Sequence, residues 1–89
     1  MAWIIEYSET AKKLLKKLDK ATAKKILDYI DQRVLNSENP RNSGKALTGP
    51  LSNLWRYRVG DYRIICDIQD KHLRILVLTL GNRKDVYRH

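Results

Sequence analysis

The sequence has 89 residues, 43% of them apolar, and a net charge of +8 at pH 7. That is enough for one small core and one domain over residues 1–89, and too little for two. No run of about 18 apolar residues predicts a membrane span, residues 1–6 lack the basic start and apolar stretch of a secretory signal, and the single cysteine, Cys66, excludes an internal disulfide; a cytoplasmic protein is expected.

Residues 3–7 are β-branched and aromatic around Glu6 and predict a short strand. Ser8 is placed to cap a helix with Glu9 in its first turn. Ala11, Leu14, Leu15 and Leu18 then fall on one helical stripe, with Lys12, Lys13, Lys16, Lys17 and Lys20 off it. Asp19 caps a second helix, whose stripe is Ala23, Ile26, Leu27, Ile30 and Val34. The short connection predicts an antiparallel helical hairpin. Turn formers over 36–44 end the helical part, and 45–53, containing Gly49-Pro50, reads as a loop.

From Leu54 the period becomes strand-like. Residues 54–59 and 62–68 are expected as strands joined by Gly60-Asp61, a pair suited to a two-residue type II′ turn. Residues 69–72 form a second turn, and 73–80, almost all apolar, read as a strand at the sheet interior ended by Gly81. The predicted fold is α+β in the order β-α-α-β-β-β, a mostly antiparallel four-stranded sheet with the helical hairpin on one face.

Residues 1–40 carry 8 basic and 6 acidic side chains, whereas 41–89 carry 10 and 4. The excess charge therefore lies away from the lysine-rich helices, and it attracts polyanions: nucleic acid, anionic membrane or acidic protein. The turn at Gly60-Asp61 sharpens this. It pairs Val59 with Tyr62, Arg58 with Arg63, Tyr57 with Ile64, Arg56 with Ile65 and Trp55 with Cys66. Opposed residues share a face, so Trp55, Tyr57, Val59, Tyr62, Ile64, Cys66 and Ile68 face the helices, while Arg56, Arg58 and Arg63 share the other face with Leu54, Ile65 and Asp67. Such arginines are either a solvated face that keeps an edge soluble or a floor for phosphate oxygens, which the forked guanidinium suits. Their convergence without a full set of acidic partners favours the floor. Beyond the last strand, Arg83 and Tyr87 either reach the rim of that face or serve packing, with Arg83 paired to Asp85. Lys12 to Lys25 form either a solvated helix face or a set of scattered RNA contacts.

Three segments together resemble the RelE/ParE superfamily of bacterial and archaeal toxins: Lys45-Ala-Leu-Thr-Gly-Pro-Leu51, Leu54-Trp-Arg-Tyr-Arg-Val-Gly-Asp-Tyr-Arg-Ile-Ile65 and Leu80-Gly-Asn-Arg-Lys-Asp-Val-Tyr87. The similarity spans essentially the whole chain. It implies the toxin of a type II toxin–antitoxin system. On the RelE side it implies a ribosome-dependent endoribonuclease that cleaves mRNA in the A site through attack of a 2′-OH on the adjacent phosphate. Carried onto this sequence, Arg56, Arg58 and Arg63 match the family's basic positions, Arg83 the arginine after the last strand, and Tyr87 the tyrosine near the C-terminus. Tyr87 would then be the general base, Arg83 would stabilise the leaving oxygen, and Arg56, Arg58 and Arg63 would hold the phosphate. Lys45, Lys84 and Arg88 are assigned to RNA or ribosome contact. The resemblance implies no cofactor and no metal; its partners would be a RelB-like antitoxin in a higher-order hetero-oligomer, mRNA, and ribosomal RNA. Two departures stand out: arginine at 56 and 58, where the family often has lysine, and a sequence that ends at His89, where many relatives continue into a helix. His72 is expected at the wrong end of the sheet to assist. The alternatives are a ParE-type inhibitor of DNA gyrase, which would not need these five residues as a site, and a non-catalytic nucleic-acid-binding module, which would favour aromatics on the basic face.

Overall fold

A computed structural model describes residues 3–51 and 53–82. Strand β1 (Ile4–Tyr7) leads into helix α1 (Glu9–Lys17), and α2 (Lys20–Tyr29) follows after one turn. Both caps expected from the sequence are in place. Ser8 Oγ accepts from Ala11 N at 3.0 Å, and Asp19 accepts from Thr22 N at 3.1 Å and from Thr22 Oγ1 at 2.6 Å. Those hydrogen bonds hold the Asp19 carboxyl below its usual range. Helix α2 runs on as one π-helical stretch, Ile30–Leu35, where the Ile30 N–H is shared between the carbonyls of Ile26 and Leu27. The π-helical stretch keeps Val34 buried with Ile30 and Ile26. Leu27, expected in the buried stripe, is instead 41% exposed: it lies at the edge of the stripe that Ile26, Ile30 and Val34 define.

The sheet has five strands rather than four, in the order β1-β5-β4-β3-β2. The added strand is β2 (Lys45–Ala46), paired antiparallel with β3 (Trp55–Val59) inside the segment read as loop. Two residues without β-branched or aromatic character carry no strand signal, so only the pairing reveals it. Strand β4 (Tyr62–Gln69) is central, and β5 (Arg74–Asn82) lies between β4 and β1. β5 also continues through Gly81, which pairs with Arg63, to Asn82, which pairs with Tyr62. The partner strand extends that far, so the ladder overrides the glycine's weak strand preference. Three pairings are antiparallel, and β1 with β5 is parallel.

The β3–β4 register matches the predicted one at all five pairs. Gly60 has φ +59, and no non-glycine residue of that turn has positive φ, as a type II′ turn requires. Between β4 and β5 the register shifts: Ile65 pairs with Thr79 and Cys66 with Val77, leaving Leu78 as the extra residue of a bulge. Its carbonyl accepts from Ser8 Oγ at 2.6 Å. One serine thus caps α1 and satisfies the bulge.

The core lies between the helices and one sheet face. Ala11, Ile26, Ile30, Val34, Tyr57, Ile64, Cys66, Ile75, Val77 and Leu80 form it, with Trp3, Trp55, Leu14, Leu15 and Leu18 packed half-buried against it. No helix among the described residues packs on the other sheet face. No helix among the described residues is long and apolar enough to cross a membrane.

Candidate functional site: an arginine floor on the open sheet face

Cross-strand pairing arranges the open face in rows. One row runs Lys45, Arg56, Ile65, Thr79 across β2, β3, β4 and β5; the next runs Arg58, Arg63, Gly81. Neighbouring strands lie about 4.8 Å apart and alternate residues about 7 Å apart along a strand, so four cations share a small patch. Sequence reading left Lys45 in a loop; the structure sets it directly opposite Arg56. Gly81 opposite Arg63 adds no side chain to the patch.

Among the described residues these cations have no acidic partner within ion-pair distance. The ion pairs among the described residues are Lys12–Glu9, Lys24–Asp28, Arg41–Asp70 and Arg74–Glu6, and none reaches the patch. The acidic groups of the open face, Asp67 one row along β4 from Ile65 and Glu6 on the far edge strand, have other partners. Arg74 Nε donates to Gln69 Oε1 at 2.6 Å and its Nη1 to Glu6 Oε1 at 3.3 Å, while Gln69 Nε2 donates to Asp67 Oδ2 at 3.0 Å. Arg58 is exposed, Arg56 half-buried, and Arg63 only 6% exposed on the central strand. The Nε atoms of Arg56 and Arg63 are buried with no hydrogen-bond partner among the described residues. Burying a guanidinium without a carboxylate costs stability. Two such Nε atoms on neighbouring strands, with the exposed Arg58 facing Arg63, make this part of the face favourable for an anion.

Beside this floor, Lys45, Ala46, Leu47, Thr48, Leu51 and Arg56 line a groove of about 430 Å³. Sequence reading did not single out Leu47, Thr48 or Leu51. The available signal was Gly49-Pro50 bracketed by leucines, which marks a turn closed by its own flanks.

Other titratable groups are excluded by position. His72 is in the Asp70–His72 turn after β4, at the end remote from the arginines and about 20 Å from Arg63 along the strand. Cys66 is fully buried, and burial pushes its thiol up to about 12. It is therefore expected to resist iodoacetamide at pH 8 in the folded protein and to react within minutes in denaturant; rapid labelling without denaturant would contradict its burial. Tyr57 is also raised by burial, and its hydroxyl donates to the Pro40 carbonyl at 2.7 Å, a structural role. Among the described residues no group of three or more His, Cys, Asp or Glu side chains is placed to hold a metal ion. Arg83, Lys84, Tyr87, Arg88 and His89 lie outside the described residues.

Comparison with known proteins gives this face its context. Residues 5–87 match the model of the ParE toxin of type II toxin–antitoxin systems. Toxin RelE of Mycobacterium tuberculosis is 31% identical over 84 residues, covering 94% of this chain and 84% of the relative. Toxin RelG of the same organism is 27% identical over 88 residues, covering 99% of each. Among solved structures, a chain of the archaeal RelE–RelB complex from Pyrococcus horikoshii superposes with a TM-score of 0.72 at 29% identity, covering 97% of this chain and 100% of that one. A chain of the M. tuberculosis RelBE2 toxin–antitoxin complex reaches 0.84 at 23% identity, over 93% and 100% of the two chains, a likeness of fold. The strand order, the arginine-bearing hairpin and these matches agree: the chain belongs to the RelE/ParE family of type II toxin–antitoxin toxins.

Proposed function

We propose that this toxin is a ribosome-dependent endoribonuclease that cleaves mRNA in the A site. The observation that carries the reading is the group of Arg56, Arg58 and Arg63 on an open sheet face, with no acidic partner among the described residues and two buried, unpaired Nε atoms. Aromatic residues on that face would favour a binding module; instead Trp55 and Tyr57 are turned to the core.

In the proposed reaction the 2′-oxygen attacks the adjacent phosphorus and the 5′-oxygen leaves, giving a 2′,3′-cyclic phosphate and a 5′-hydroxyl. Arg56, Arg58 and Arg63 hold the non-bridging oxygens as charge grows on them. Tyr87 takes the 2′ proton. A phenol with a reference pKa of about 10 is a poor base at neutral pH unless neighbouring cations stabilise its phenolate. Arg83, directly after Asn82 in sequence, supplies positive charge and nominally a proton to the leaving oxygen. Lys45, Lys84 and Arg88 add sequence-independent phosphate contacts. With pKa values so far from neutrality, the site depends on an RNA delivered in line, and the ribosome supplies that orientation. The setting is the cytoplasm.

The RelB partners named in the solved archaeal complexes support a RelB-like antitoxin here. Its restraining segment is expected to be acidic and to order on binding to the cationic face.

Primer extension on a defined mRNA, with and without translating ribosomes, tests the reading: cuts within the A-site codon appear only with ribosomes. Tyr87→Phe should lower that rate by about 100-fold or more with ribosome binding nearly intact, and wild-type turnover would remove Tyr87 as base. The matching family model bears the ParE name, which favours gyrase as the second reading. No cuts in either condition, together with trapping of cleaved DNA by gyrase, would establish it instead.

A further inference from the structure

The groove at the end of the arginine floor has walls of two kinds. Lys45 and Arg56, directly opposed across β2 and β3, form its cationic side. Ala46, Leu47 and Leu51 form the apolar side, and Thr48 contributes an exposed hydroxyl. Leu51 is 49% exposed, so its side chain is open to an occupant of the groove. The loop carrying these residues is fixed: Leu47 N donates to Leu54 O at 3.1 Å and Leu54 N to Leu51 O at 2.9 Å, and Gly49 takes φ +68 at its turn. The groove is therefore a built feature. Its volume of about 430 Å³ lies within the range of small-molecule sites, about 300–1,000 Å³.

Arg56 belongs to both places. Its side chain is in the cationic row proposed to hold the scissile phosphate, and it also walls the groove, with a buried Nε that has no partner among the described residues. An occupant that satisfies both ends carries an anion at the floor and a flat, largely apolar body one bond system away. A nucleotide has that shape. Single-stranded bases are recognised by stacking on aromatic rings or guanidinium planes and by hydrogen bonds to their edges; among the described residues no aromatic ring lines the groove, and Arg56 supplies its guanidinium.

We infer that this groove receives the base of a nucleotide flanking the scissile phosphate, with Arg56 beneath the ring, Leu47 and Leu51 at its sides and the Thr48 hydroxyl at its edge. The loop from Leu47 to Leu51 then sets which codons are cut. This rests on the reading of the floor as an RNA-cleaving site, but it is testable without catalysis.

The four ribonucleoside 3′-monophosphates and ribose 5-phosphate are titrated into the full-length toxin and followed by amide NMR. The expected result is that shifts at residues 46–48 and 51 appear with nucleotides but not with ribose 5-phosphate, and are larger for some bases than others. Leu51→Ala weakens nucleotide binding about tenfold, the cost of roughly two buried methylenes, and leaves ribose 5-phosphate unaffected. Thr48→Val changes the rank order of the bases. Equal binding of all five ligands, with shifts confined to Arg56, Arg58 and Arg63, overturns the inference. So does saturation of the same residues only by an acidic peptide, which would make the groove an antitoxin contact. Codon-resolved cleavage maps separate the two proposals. Cuts whose distribution is unchanged in both variants remove the groove and keep the ribonuclease. Base-selective binding without any cuts keeps the groove and removes the ribonuclease.

Discussion

Arg63→Met is expected to make the protein more stable and to disable it. Arg63 is 6% exposed, its Nε has no hydrogen-bond partner among the described residues, and it faces Arg58 across the hairpin. Replacing buried ionic groups by apolar side chains of similar volume stabilises proteins by about 1–4 kcal/mol in favourable cases, and the like-charge pair disappears as well. A gain near the lower end of that range would raise the Tm of a domain this size by about 5 °C or more. Cleavage on ribosomes should fall by about 100-fold or more, as when a single preorganised donor to a developing anion is lost. The opposite signs are the diagnostic, since a purely structural arginine would lower both. Thermal unfolding and ribosome-bound mRNA cleavage measured on the same preparation decide it, and a lower Tm would falsify the view that this charge is held for function against the interest of the fold.

Gly44→Ala should have the largest effect on the fold itself. Gly44 takes φ +81, and a Cβ there would collide with the Arg56 carbonyl oxygen and approach Trp55 Nε1 to 2.6 Å and Tyr57 Cδ1 to 3.0 Å. Neither ring is free to yield. The Trp55 indole donates to Ser43 O at 2.7 Å, and the Tyr57 hydroxyl to Pro40 O at 2.7 Å, which together tie the 40–43 segment to β3. Left-handed strain and overpacking each cost about 1–3 kcal/mol, so the Tm should drop by about 15 °C. Because the displaced backbone is that of Lys45 and Arg56, the floor and the groove would be lost before global unfolding. An unchanged melting curve would show that the loop relaxes without strain. By contrast Gly49, although its φ is +68, has nothing within 4 Å of an added Cβ, and alanine there should be much milder.

The contrast between these positions shows what sequence can convey. The Gly60-Asp61 turn has a geometry that fixes pairing residue by residue, so the alignment of Arg58 with Arg63 was legible without coordinates. Ser8 and Asp19 were legible as caps because their short oxygen-bearing side chains suit that place. β2 was not, because two residues held by a neighbour's ladder have no pattern of their own. Nor was the bulge at Leu78: a strand apolar at nearly every position over 73–80 carries no alternation from which a register slip can be read. The groove escaped for a further reason. Its walls come from a loop and a strand, and their meeting depends on Gly44 allowing the backbone close approach. The family's segments around Lys45–Leu51 resembled known toxins, yet resemblance named Lys45 alone from that stretch.

The contact between Ser8 and the bulge also bears on when the toxin becomes dangerous. In the described sheet β1 is bonded only to β5, and Ser8 meets Leu78 across 70 residues of chain. Contacts of that sequence separation form late and slowly. During synthesis at about 5–20 residues per second, the helices and the β3–β4 hairpin can form locally while β1 waits for a partner not yet made. The central strand carrying Arg63 has only one neighbour until β5 arrives. A protein proposed to attack ribosomes thus has a sheet in which β5, the latest of the described strands in the sequence, joins the hairpin to β1, so its arginine floor is incomplete until that strand has been made.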